Sequence, residues 1–103
     1  MLVDSLRKKL IESQKSQNEV ALNTLRLLIT EAKNKEISLR AEQKELEDAD
    51  ILKIIKKQIK NRNESIPMYE IAGRIETAEK EKLEVQFLQN LLIEFFPDEL
   101  GTQ

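Results

Sequence analysis

The sequence predicts an all-α fold, a four-helix bundle-like domain of antiparallel helices. Three observations carry that expectation. Good helix formers such as Leu, Glu, Lys and Gln dominate the 103 residues, whereas Gly and Pro occur only twice each. With so little turn-forming material, the elements must be few and long. Apolar residues then recur at i, i+3, i+4 and i+7 in four separate stretches, the period of an amphipathic helix. At 40% hydrophobic and 35% charged, a chain of this length supports one modest core and not two.

The first helix is expected over residues 2–16, with Leu2, Val3, Leu6, Leu10 and Ile11 on one stripe and Arg7, Lys8, Lys9 and Lys15 mostly opposite. Ser16 or Asn18 is suited to cap the next helix, because a short polar side chain can accept from a free backbone N–H there. The second helix, about 19–37, carries Val20, Leu22, Leu25, Leu27, Leu28, Ile29 and Ala32. That wide apolar arc marks it as the most buried. Residues 38–47 (SLRAEQKELE) read as a polar connection. Asp48 is then a natural N-cap, and Asp50 adds favourable charge near the helix start.

The third helix runs from about Ala49 towards Ser65. Pro67 either breaks it, by pushing Ile66 out of the α region, or kinks it. Gly73 supplies the positive-φ freedom of a helix stop. The fourth helix, about 75–96, buries Ala78, Leu83, Phe87, Leu88, Leu91, Leu92, Phe95 and Phe96, and Pro97 closes it before the polar DELGTQ.

Composition also excludes chemistry. Without Cys there is neither a disulfide nor a thiolate metal site, and without His the usual metal ligand and the usual near-neutral base are missing. No cofactor and no metal are expected. The start, MLVDSLRKKL, turns charged within four residues and reads as neither a secretory signal nor a membrane anchor. No apolar run approaches the roughly 18 residues of a spanning helix. A cytoplasmic location is the expectation.

The net charge of −2 is unevenly spread: residues 1–40 carry +3, 41–50 carry −4, 51–62 carry +5 and 63–103 carry −6. Taking Ile51 as zero and about 100° per residue, Leu52, Ile55, Ile59 and Ile66 fall between 0° and about 100°. Lys56, Lys60, Lys53 and Lys57 fall at about 140°, 180°, 200° and 240°, a ridge opposite that apolar arc. Such a ridge is either a solvated face or a surface that neutralises several phosphates at once. No aromatic residue is interleaved to stack bases, so an RNA contact there would be to the backbone of a folded shape.

Arg62 falls at about 20°, inside the apolar arc, where a guanidinium must snorkel or find a carboxylate. The fourth helix carries matching anions. Glu81 and Glu84 fall among Leu88, Leu91, Leu92 and Phe95 on its apolar side. They read either as a catalytic carboxylate pair or, preferably, as structural ion-pair partners for Arg62 and Arg74, since nothing else completes a catalytic site. Arg26 flanks the second helix's apolar arc. Met68 and Tyr69 read as packing residues, and Ser65 as a helix-end hydroxyl.

Several of these pieces together resemble the GatB/YqeY family, comprising the small bacterial YqeY-like proteins and the related tail of the B subunit of glutamyl/aspartyl-tRNA amidotransferase. The resemblance covers nearly the whole chain. It rests on NTLRLLITEAKNKEI (23–37), KQIKNRNESIPMYEIAGR (57–74), AEKEKLE (78–84) and FFP (95–97), the last standing where the family has Leu-Pro. Pro67 departs from a family segment that is usually an unbroken helix. About one extra turn separates AEKE from FFP. Family members continue into a further small helical domain, so the expectation is a single N-terminal-type helical domain over 1–97 and a polar tail over 98–103.

The resemblance implies a tRNA-associated accessory module, linked to a carbon–nitrogen ligase that uses glutamine as amide donor. The implied partners are tRNA and an amidotransferase or other translation-related protein. No catalysis is expected of this chain by itself, because it has no phosphate-cradling Gly-rich loop and no nucleophile set. Lys53, Lys56, Lys57 and Lys60 are then the candidate nucleic-acid contacts. The alternative is a protein-interaction or scaffold bundle with no nucleic-acid role, docking on apolar surface near Phe95 and Phe96.

Overall fold

The computed structural model describes residues 2–102, among which there are four α-helices, one 3-10 helix and no strand. Helix α1 spans Leu2–Lys15, α2 Glu19–Ala41, α3 Asp48–Ile71 and α4 Ile75–Phe95, with the 3-10 helix at Pro97–Thr102. The chain divides into two compact units, Met1–Ile54 and Ile55–Gln103, so α3 contributes its first turns to one and the rest to the other.

In the first unit α1 and α2 pack on each other across Ser16–Asn18, an αα-hairpin. Both sides of that connection are capped. The Asn18 side chain accepts from the Ala21 N–H at 3.1 Å. Gln17 adopts φ 57°, while the Asn18 N–H reaches the Ser13 carbonyl at 3.0 Å. This is the Schellman ending usually built on glycine, here with glutamine in the left-handed position.

The same ending recurs after α2. Gln43 has φ 58°, and the Lys44 N–H donates to the Leu39 carbonyl at 2.9 Å. Helix α2 therefore runs one turn past the expected boundary at Ile37, and Ser38–Ala41 are helical rather than part of a connection. Burial of Leu39, with Leu46 buried beyond the turn, explains the extension. Helix α3 begins at Asp48 itself. The cap comes from Asp50, whose carboxylate accepts from the Glu47 N–H at 2.9 Å, half of a capping box.

Leu6, Leu25, Leu28 and Ile51 are fully buried in this unit, as is Thr24, whose hydroxyl donates to the Val20 carbonyl at 2.7 Å. Ile11 and Leu27 are exposed, against expectation. On a regular helix each stands about 100° or more from its buried neighbours Leu6 and Leu28.

The second unit is a further hairpin, of the rest of α3 with α4. Gly73 turns it at φ 78°, with the Arg74 N–H on the Tyr69 carbonyl at 2.8 Å and the Gly73 N–H on the Glu70 carbonyl at 3.1 Å. Pro67 does not break α3, which stays helical to Ile71. Proline there deprives only the Asn63 carbonyl of its intrahelical donor, and Asn63 lies at the surface within reach of water. Ile66, Ala78 and Val85 form a buried cluster flanked by Ile59 and Tyr69. Leu83, expected in the core, is exposed, since it lies about 140° from Ala78 around the helix while Val85 lies only about 20° away. Pro97 opens the 3-10 helix rather than a trailing tail.

Candidate nucleic-acid interface

The inner side of α3 is set by Ile51 and Ile55, both fully buried, and by Ile66 at 8% exposure. Lys53, Lys56, Lys57 and Lys60 are all exposed. Lys53 belongs to the first unit and the other three to the second. Their outward direction follows from the same period that buries the isoleucines. Among the described residues, Lys53, Lys57 and Lys60 form no ion pair. Lys56 does: its Nζ lies 3.4 Å from Glu99 Oε2 in the 3-10 helix.

Arg62 turns the other way. Its side chain is 12% exposed, with Nε 3.7 Å from Glu84 Oε1 and 3.9 Å from Glu81 Oε2. Its Nη1 donates to Gln58 Oε1 at 3.5 Å. The Arg62 Nε and Glu81 Oε2 atoms are buried and make no hydrogen bond. One guanidinium thus faces two carboxylates at ion-pair distance, leaving the cluster one negative charge in excess. Gln58, 3% exposed, is the member that sequence reasoning passed over. Its wheel angle of about 340° placed a polar amide inside the apolar arc, which was the available signal.

Arg74 lies apart from this cluster: it is exposed, and among the described residues it forms no ion pair. Arg26 is also exposed, and Met68 is 69% exposed rather than packed, while Tyr69 is half-buried. The Ser65 hydroxyl donates to the Arg62 carbonyl at 3.2 Å. Nearer the turn, Lys82 Nζ bridges Glu79 at 3.1 Å and Glu70 at 3.2 Å. The Glu79 hydrogen bond, then that of Glu70, pushes the Lys82 ammonium above its ordinary pKa. From Glu70–Lys82 to Arg62–Glu84, the partners recede from Gly73 on both helices, as an antiparallel hairpin requires.

The polar cluster and the lysine face sit on a chain matched by a family model, described as Yqey-like protein, across residues 3–103. The chain belongs to the YqeY-like family. An uncharacterized protein of Schizosaccharomyces pombe is similar, 34% identical over 89 residues that cover 86% of this chain and 70% of that protein. The family match takes in α3 and α4 entirely, with the lysines, Arg62 and both glutamates. Among the described residues of this YqeY-like chain, no helix is long and apolar enough to cross a membrane. Nor is any group of three or more Asp or Glu arranged to hold a metal ion.

Proposed function

We propose that this YqeY-like protein is an RNA-associated accessory module whose Lys53, Lys56, Lys57 and Lys60 contact the phosphate backbone of a folded RNA. The observation that carries this reading is the exposure of all four lysines on α3 while Arg62, the fifth cation of the run, is turned into the protein. Lys53, Lys57 and Lys60, which form no ion pair among the described residues, are free to neutralise phosphates, whereas Lys56 must first exchange Glu99 for one. The RNA class is tRNA, and the link to amide-forming chemistry on tRNA lies in the resemblance described above; this chain supplies binding. Filter binding of bulk tRNA at rising salt tests it. Affinity falls with a log–log slope of about −2 to −4 if these lysines release counterions. Absence of binding at low salt contradicts the proposal.

A second reading, protein interaction, draws on different residues from those first expected. Phe95 and Phe96 are half-buried, but Met68, Ile71 and Ile75 are exposed around the α3–α4 turn, Ile71 at 88%. This reading predicts self-association of the chain. A clean monomer at high concentration that binds no apolar dye counts against it.

A further inference from the structure

Resting on the phosphate-contact reading above, we propose that the C-terminal 3-10 helix restrains the lysine face, with Glu99 holding Lys56 until a phosphate competes it away. The two residues are 43 positions apart, so their contact is tertiary and not a by-product of helix spacing. Both lie in the second unit. The carboxylate is aimed by backbone geometry: the Phe96 N–H donates to the Leu92 carbonyl at 2.8 Å, and the Glu99 N–H to the Phe96 carbonyl at 3.1 Å. Those bonds carry the end of α4 directly into the 3-10 turn. Phe95 and Phe96, at the same junction, are half-buried.

To an ammonium, a carboxylate and a phosphate are the same kind of ligand, an anionic oxygen. Glu99 therefore stands in the place of one phosphate and repels another. Lys56 and Glu99 are 52% and 41% exposed, so water screens the pair and its release is cheap. An exposed pair of this kind changes an equilibrium by a factor of about two to five. The contact is a graded restraint rather than a lock. It reduces the number of phosphates the helix neutralises and tunes the salt sensitivity of binding.

Filter binding of bulk tRNA to the full chain, at low and rising salt, tests this with four proteins: the wild type, Glu99→Gln, Asp98→Asn and the double variant Glu99→Gln/Lys56→Gln. Glu99→Gln binds about two- to fivefold tighter at low salt, and its log–log slope steepens by about 0.7 to 0.9, one extra phosphate. The double variant loses both gains. Asp98→Asn makes the same charge change next door, at an exposed residue without an ion pair among the described residues, and gives a clearly smaller gain. Identical binding by the wild type and Glu99→Gln overturns the restraint, as does an equal gain from Asp98→Asn or a gain that survives loss of Lys56. If neither the wild type nor Glu99→Gln retains tRNA at low salt, the phosphate-contact reading fails and takes the restraint with it. Wild-type binding with no response to Glu99→Gln removes the restraint alone.

Discussion

Replacing Arg62 with Met keeps most of the aliphatic stem and deletes the charge, which isolates the electrostatic role of the α3–α4 tie. In the wild type, Glu84 and Glu81 lie 3.7 and 3.9 Å from the guanidinium, with side chains 10% and 20% exposed. At an effective dielectric near 20, each attraction is about 4 kcal/mol. Much of that is offset by desolvation of three charges and by repulsion between the glutamates. Removing the arginine forfeits the attraction and leaves the carboxylates largely dehydrated, so the net loss is about 2–4 kcal/mol, somewhat below a fully buried pair. Tyr69, the only tyrosine in a chain without tryptophan, sits beside the Ile66–Ala78–Val85 cluster and reports unfolding of this unit. With a urea dependence of about 1.5 kcal/mol per molar, the midpoint drops by roughly 1.3–2.7 M. Adding Glu81→Gln and Glu84→Gln recovers much of the loss, because no buried charge is then unpaired. A loss below about 0.5 kcal/mol would mean that solvent, and not Arg62, stabilises the two carboxylates.

Gln17→Gly and Gln43→Gly each stabilise by about 0.5–1 kcal/mol in thermal melts, because a non-glycine residue is strained at φ 57° and 58°. Gly73→Ala costs about 1 kcal/mol for the same reason in reverse: a Cβ there meets nothing within 4 Å, so the whole penalty is conformational. Asn18→Ala costs about 1 kcal/mol by orphaning the Ala21 N–H, read as a loss of helicity and a lower melting temperature. The raised pKa of Lys82 means its bridge to Glu79 and Glu70 stabilises wherever the ammonium persists, at all pH values below the ordinary 10.5. That contribution disappears as pH climbs through the higher folded-state value. Lys82→Gln should therefore remove a stability difference present at pH 7 and absent in strong alkali; an undiminished difference there contradicts it.

The fold was legible wherever one physical signal dominated. Four periodic stretches and a shortage of turn residues were enough to place four helices, with Asn18 and Gly73 at ends they are chemically suited to. The boundary after α2 was not legible, because Ser38–Ala41 look polar in isolation and only tertiary burial of Leu39 holds them helical. Gln17 and Gln43 gave no warning either: glutamine has no preference for the left-handed conformation that the hairpin geometry imposes on it. Pro67 carried a helix-breaking signal that was overridden by burial of Ile66 before it. At the site, the wheel separated outward lysines from inward Arg62, since both follow from one period. Contacts between distant segments escaped it. Nothing in DELGTQ announced that Glu99 would meet Lys56, and nothing local distinguished Arg74 at the surface from Arg62 inside.

On the proposed reading, α3 presents its lysines to phosphate while Arg62 serves the protein interior. A salt titration of tRNA binding tests it most directly, run on the wild type and on a variant with Lys53, Lys56, Lys57 and Lys60 all changed to Gln. The expected wild-type log–log slope is about −2 to −4 and flattens towards zero in the variant, with far-UV circular dichroism and melting temperature unchanged. No wild-type binding at low salt, or a slope that persists without the four lysines, contradicts it.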